Sequence, residues 1–419
     1  MPPANQPQSD QPPGVPARRA ALKLLDAVLR RGEALEQALP AATRGIARAD
    51  DRALAHALAA GVLRWLSDLD ALIDSATARP LPDDAKPRMV LRIALAQALI
   101  LRTPAHAAIA TVLPLVEGGP KRLVHGVFGT LSRRGAALPA LPSLPPAPVA
   151  RWTSAWGLDV IAAARAASVA PPPLDLTLAD PGETAALAAR LGGESLMPGH
   201  LRLAEHGAIP DMEGFGEGSW WVQDLAAALP ARLLGAGTGT ALDLCAAPGG
   251  KTLQLAAAGW AVTALDIAKS RLARLSENLA RTGLSAQIVT ADALDWAAPA
   301  PFDAVLLDAP CTATGIFRRH PEVLHRVTPA QIAEMSALQA RLIARAADWV
   351  RPGGRLVYAT CSLEPEEGER VVEGLLAARP DYRLLPPGAD ELPGGIAAAA
   401  PGWLRLVPGT LGAQGGCDG

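Results

Sequence analysis

The sequence predicts a multidomain chain, with an all-α bundle in front, a small α+β region after it and an alternating α/β domain at the back. Three observations predict it. Apolar residues from 17 to about 137 recur at helical spacing only, five prolines crowd into residues 137–150, and from 240 onward short apolar runs alternate with helical ones. At 419 residues the chain is also too long for one ordinary core.

Residues 1–16 are rich in Pro and Gln and lack an apolar stretch, so they read as a disordered tail rather than a signal sequence. ARRAALKLLDAVLRRG (17–32) places apolar side chains at i, i+3, i+4 and i+7 and closes on Gly32. DRALAHALAAGVLRWLSDLDALIDSA (51–76) is a second long periodic stretch, followed by PRMVLRIALAQALILR (87–102), AHAAIATVLPLVE (105–117) and KRLVHGVFGTLSRR (121–134). Helices joined by short turns make 17–137 a bundle. Residues 138–150 read as a Pro-rich linker, semi-rigid because proline fixes φ. Residues 151–235 mix a helix, a strand candidate LDLTL (174–178) and a helix at VQDLAAALPARLL (222–234).

The domain at 236–419 is predicted to hold five strands: ALDLCA (241–246), WAVTALD (260–266), SAQIVTAD (285–292), DAVLLDAP (303–310) and GRLVYATCS (354–362). KTLQLAAAG, SRLARLSENLARTG and ALQARLIARAADWV between them read as helices. Such alternation means a mostly parallel, Rossmann-like sheet with its ligand site at the carboxyl ends of the strands.

Composition narrows the classes. Four cysteines (Cys245, Cys311, Cys361, Cys417) show no zinc-type spacing and are too few for a disulfide framework, so a reducing, cytoplasmic setting and no metal are expected. No uncharged apolar run approaches the roughly 20 residues of a membrane helix. The net charge is −2, but residues 1–140 hold 18 Lys and Arg against 12 Asp and Glu. A basic front can attract phosphates, although an ordinary solvated helix surface explains the charge equally well.

The first predicted strand of the back domain runs into LDLCAAPGGKT (242–252), where a Gly-containing turn before a helix brings backbone N–H groups close to a ligand. A nucleotide phosphate loop would need glycine where Cys245 stands. Asp266 and Asp292 end the next two strands, positions from which carboxylates can bind ribose hydroxyls and an adenine amino group. Adenosine without a triphosphate, as in S-adenosylmethionine, fits best. DAPCTATG (308–315) and YATCSLEPEEGE (358–369) then place two cysteines at strand ends on the same side of the sheet, where reactive thiols belong. A thiol meets a specific chemical need. Carbon 5 of cytosine is a poor nucleophile until a thiolate adds to carbon 6 and turns the ring into an enamine. Asp308 near N3 would stabilise the charge developing in that addition, and a second group must assist release.

With those motifs in place, the chain resembles the bacterial 16S ribosomal RNA cytosine-C5 methyltransferases that carry an N-terminal NusB-like helical domain. DLCAAPGGKT, DAPCTATGIFRRHPE and YATCSLEPEEGE are specific to the wider RNA cytosine-C5 group; DRALAHALAAGVLRW, TPAHAAIATVLPLV and WWVQDLAAALPARLL resemble this subfamily. The resemblance extends from about residue 17 over nearly the whole chain. It implies Cys361 as the nucleophile and Cys311 as the residue assisting release. DNA cytosine methyltransferases use the Pro-Cys cysteine instead, so this assignment rests on the resemblance. It further implies S-adenosylmethionine binding by Cys245, Ala246, Ala247, Pro248, Gly249, Gly250, Lys251, Asp266, Asp292 and Asp308, with Arg271 in support and with Lys251 and Asp308 near methyl donor and base. The implied partner is RNA, specifically small-subunit ribosomal RNA, with no DNA or membrane partner; a monomer is expected.

Two departures from that family stand out. LDLTL sits where an Arg and an Asn are usual in an RNA-contacting strand. The chain stops at GGCDG (415–419), where the family continues into an aromatic-rich strand, which would leave a sheet edge exposed. A non-catalytic RNA-binding, antitermination-like factor would account for the same architecture, but none of the expected catalytic positions is lost. A P-loop NTPase is disfavoured by Cys245.

Overall fold

The computed structural model describes residues 12–169, 172–388, 391–399 and 402–419. The chain divides into two compact units, residues 1–149 with 320–327, and residues 150–319 with 328–419.

The first unit is helical: α1 (Val15–Arg31), α2 (Leu35–Ala42), α3 (Ala49–Arg64), α4 (Leu66–Ser75), α5 (Lys86–Leu99), α6 (Ala105–Val112) and α7 (Gly118–Arg133). The periodicity of α1 buries Ala17, Ala21, Leu24, Leu25 and Val28 against Leu58 and Val62 of α3 and Leu91 of α5 in one apolar cluster. Gly32, at φ 69°, turns the chain out of α1 while its N–H still reaches Val28 O (3.1 Å). Residues 320–327, far away in sequence, complete the unit. Glu322 accepts from Leu35 N–H at the start of α2 (3.2 Å), and the half-buried His325 ring bonds Leu63 O (2.6 Å).

Several boundaries differ from expectation. Residues 1–11 of the expected tail lie outside the described residues, and helix already begins at Val15 because Pro16 in the first turn needs no N–H partner. The same tolerance lets α8 (Pro146–Trp156) start inside the stretch read as linker. The long 51–76 stretch breaks at Trp65, whose ψ of 20° is not helical, into α3 and α4. The eight-residue α2 is an element the periodicity did not single out.

From residue 150 the second unit takes in the rest of α8 and α9 (Leu158–Val169), then adds β1 (Leu174–Leu178), α10 (Thr184–Leu191), β2 (His200–Leu203), β3 (Trp220–Val222) and α11 (Leu225–Arg232). The strands form a small antiparallel sheet in the order β2-β1-β3. LDLTL is thus its central strand. Asp175 is buried there and held by both Nε and Nη2 of Arg202 at 2.7 Å. Burial alone would raise its pKa; Arg202 and His200 hold it well below the usual carboxylate range.

The larger sheet contains all five expected strands: β4 (Thr240–Leu244), β5 (Ala261–Asp266), β6 (Gln287–Thr290), β7 (Phe302–Asp308) and β8 (Val350–Ala359). They run parallel in the order β6-β5-β4-β7-β8, with α12 (Gly250–Ala257), α13 (Lys269–Thr282), the short α14 (Val323–Arg326, within the helical unit), α15 (Pro329–Asp348) and α16 (Glu369–Ala378) between and after them. α15 begins earlier than its apolar pattern suggested, because Thr328 and Gln331 form a capping box around Pro329. Among the described residues β8 pairs with β7 alone, leaving it at the sheet edge, and no helix is long and apolar enough to cross a membrane. The strand order reverses at β4, so the crevice beyond its carboxyl end is where such a sheet binds ligands.

Candidate functional site

Register sets the stage. Leu244 of β4 lies beside Leu265 of β5 and Leu307 of β7, Asp266 beside Thr290 of β6, and Asp308 beside Ala359 of β8. The strands therefore end together, and residues 245–251, Asp266, Asp308 and the two cysteine loops emerge on one side.

The loop after β4 is tightly constrained. Cys245 adopts φ 59°, and Gly249 at φ 111° leaves no room for a Cβ, which would collide with Leu275 of α13. Asp266 anchors the turn: it is buried and accepts from the N–H groups of Ala247 (3.1 Å) and Ala268 (2.7 Å) and from Arg271 Nη2 (3.0 Å). The carboxylate expected to face a ribose also holds the loop together, and its remaining lone pairs are what a ligand hydroxyl could use. Cys245 is not a reactive thiol, since burial and the neighbouring carboxylates push it up to about 12.

Lys251 Nζ donates to Asp308 Oδ2 at 2.7 Å. Burial works against its charge, but Asp308, then Asp243 and Cys361, outweigh it and raise its pKa. Asp292 stands apart from this cluster; its Oδ1 accepts from Leu294 N–H (2.8 Å), and among the described residues no hydrogen bond joins it to the loop.

Cys311, on the loop after β7, and Cys361, on the loop after β8, bring their sulfurs to 3.5 Å. The hydrogen bond to Cys361 and burial push the Cys311 thiol well above its ordinary pKa.

Two buried carboxylates were not singled out from the sequence. Asp243 accepts from Thr252 Oγ1 (2.5 Å), while its Oδ1 is buried with no hydrogen-bond partner among the described residues; burial pushes its pKa up to about 7. It reads in sequence as one more residue of an apolar strand. Glu367 hides in the acidic run EPEEGE, which looks like a solvated loop, yet it is fully buried.

A cavity of about 180 Å³ lies against this loop, lined by Trp221, Asp243, Ala246, Pro248, Lys251 and Asp308 among others. Lys251 and Arg271 are each already paired with a carboxylate. Among the described residues, the two cations beside this loop are thus already neutralised, which suits an adenosine bearing an ammonium and a sulfonium better than a triphosphate.

A parallel sheet of this order, with a Gly-containing loop at its switch point, defines a Rossmann-like nucleotide-binding fold. The sequence pattern of the 16S rRNA methyltransferase RsmB/F family matches residues 233–415, and that of the NusB family matches residues 15–120. The ribosomal RNA small subunit methyltransferase B of Klebsiella pneumoniae (strain 342) is 34% identical over 405 residues, covering 90% of this chain and 93% of that protein. Its namesake in Xanthomonas campestris pv. campestris is 35% identical, with 90% and 91% covered. The crystal structure of PH0851 superposes with a TM-score of 0.70 over 96% of this chain and 97% of its own, at 24% identity. The chain belongs to the 16S rRNA methyltransferase RsmB/F family. It is an S-adenosylmethionine-dependent ribosomal RNA methyltransferase with a NusB-type helical region, and its substrate is RNA.

Proposed function

We propose that the enzyme methylates carbon 5 of a cytosine in small-subunit ribosomal RNA through a covalent adduct, with Cys361 as nucleophile and Cys311 as the residue that completes release. The observation that carries this reading is the pair of thiols 3.5 Å apart on the loops that follow two neighbouring parallel strands.

Residues 245–251 and Asp266, with Asp292 and Asp308 at the neighbouring strand ends, would hold S-adenosylmethionine, which supplies an electrophilic methyl group when bound. Arg271 acts through Asp266. Cys361 adds to carbon 6 of the base and makes carbon 5 nucleophilic. Asp308, hydrogen-bonded near N3 and itself fixed by Lys251, stabilises the charge that develops on the ring. Alkylation of Cys361 removes the hydrogen bond and the charge that hold Cys311 protonated. Cys311 can then lose its own proton to solvent and, as thiolate, accept the carbon-5 proton as that C–H pair re-forms the ring double bond and Cys361 leaves as thiolate.

The helical unit is read as the part that positions RNA through phosphates, and unassembled RNA as the substrate, because a base must leave its stack to reach the thiols. DNA is not a substrate in this reading, and the enzyme works as a cytoplasmic monomer.

Two variants test the assignment on a denaturing gel with labelled RNA. Cys361→Ala should abolish methylation and give no covalent band. Cys311→Ala should accumulate a slow-migrating protein–RNA adduct. A band with Cys361→Ala alone would reverse the roles; two merely structural cysteines would give no band in either.

A further inference from the structure

We propose that Glu367 is a positioning residue: it locks the two cysteine-bearing loops to each other and so holds Cys311 in place for release. The inference rests on the thiol roles proposed above.

Glu367 is fully buried, and each of its oxygens serves both loops or their support. Oε1 accepts from the hydroxyl of Thr312, the residue after Cys311, and from Ser362 Oγ (2.8 Å), the residue after Cys361. Oε2 accepts from Thr312 N–H (2.8 Å) and from Gln339 Nε2 (3.1 Å), which also donates to Pro310 O (2.8 Å). Four donors thus converge on one carboxylate, three of them from the residues that directly follow the two cysteines and the fourth from Gln339 of α15. The Glu367 carbonyl is fixed in turn by Tyr358 OH (2.6 Å).

The two loops depend on Glu367 unequally. The Cys361 loop has other anchors: Arg405 donates to Ser362 O (2.6 Å), Leu363 N–H to Thr314 Oγ1 (2.9 Å), and Arg151 and Trp152 to the buried Glu364. On the Cys311 loop Glu367 holds both donors of Thr312, the residue next to the thiol, while the loop's other ties lie farther from it, where Gly315 N–H donates to Cys361 O (2.9 Å) and Thr314 Oγ1 accepts from Leu363 N–H, and at Pro310 O, which Gln339 holds. Loss of Glu367 therefore displaces Cys311 more than Cys361, and release suffers more than attack. The negative charge of Glu367 also adds to the upward shift of the Cys311 thiol.

The experiment compares full-length Glu367→Ala, Glu367→Gln and Cys311→Ala with wild type on a small-subunit ribosomal RNA transcript. A misplacement on the 1 Å scale costs roughly 100-fold in turnover. Glu367→Ala should show such a fall in kcat with KM for RNA unchanged, and should accumulate the same covalent band as Cys311→Ala. Glutamine can keep all four contacts, its carbonyl accepting from the two N–H groups and its amide donating to the two hydroxyls. Glu367→Gln should therefore restore turnover and clear the band. Thr312→Val, which removes one donor at nearly constant volume, should also accumulate adduct and serves if Glu367→Ala fails to fold. If Cys311→Ala gives the band while neither Glu367→Ala nor Thr312→Val does, Glu367 has no positioning role. If Cys311→Ala gives none, the thiol assignment itself falls and this inference with it.

Discussion

Asp266→Ala should weaken S-adenosylmethionine binding by more than any single contact in the loop would suggest. The carboxylate collects three donors, Ala247 N–H, Ala268 N–H and Arg271 Nη2, all within 3.1 Å. Arg271 is more than half exposed and returns to water on truncation. The two amides are not so free, and a buried donor left without a partner costs about 1–3 kcal/mol. Loss of a charged hydrogen-bond partner to the ligand costs a further ~1.5–3 kcal/mol, or roughly 10- to 150-fold in Kd. Titration calorimetry on the full chain reads the affinity, and urea unfolding reads the loop's share. Asp266→Asn, which keeps one acceptor, should fall between. A folded Asp266→Ala protein that binds the cofactor as tightly as wild type would refute both the ribose contact and the anchoring role.

The buried network makes two further predictions. Asp243 titrates near 7 in the fold against 3.8 for the free group, so the folded state binds its proton more tightly. Its contribution is complete below about pH 4 and is lost as pH rises through 7, so Asp243→Asn should flatten that decline in urea midpoints. Identical pH slopes would contradict the assignment. Arg202→Met should cost about 3–5 kcal/mol of stability, because it strands the buried Asp175 without its bidentate partner; a loss under about 1 kcal/mol would show that the sheet does not depend on the pair.

The sequence announced its large sheet clearly because its central strands β4, β5 and β7 are largely buried and read as apolar runs between turn signals. The loop and the thiol-bearing strand ends follow from the same pattern. The small sheet was half hidden. HLRL and WWV are only four and three residues long, too short for the alternation in HLRL to stand out, and HLRL buries His200 and Arg202 along with its leucines. Asp175, beside which they pack, makes sense only once Arg202 is seen across the ladder. Glu367 shows the same limit more sharply. Nothing within PEEGE distinguishes it from Glu366, and its burial depends on Thr312, Ser362 and Gln339, which lie on separate elements. Local pattern reports periodicity; it does not report which polar side chain a distant loop will enclose.

The helical unit also constrains how the protein can be made. Its last segment, residues 320–327, is translated long after α7 ends at Arg133. At ribosomal rates of roughly 5–20 residues per second, that interval is about 10–40 s. Throughout it, the N–H of Leu35 has no Glu322 to accept it, and His325 has not yet reached Leu63 O. The first unit to leave the ribosome therefore waits unfinished while most of the second is synthesised, and the two units mature together despite their order in the chain.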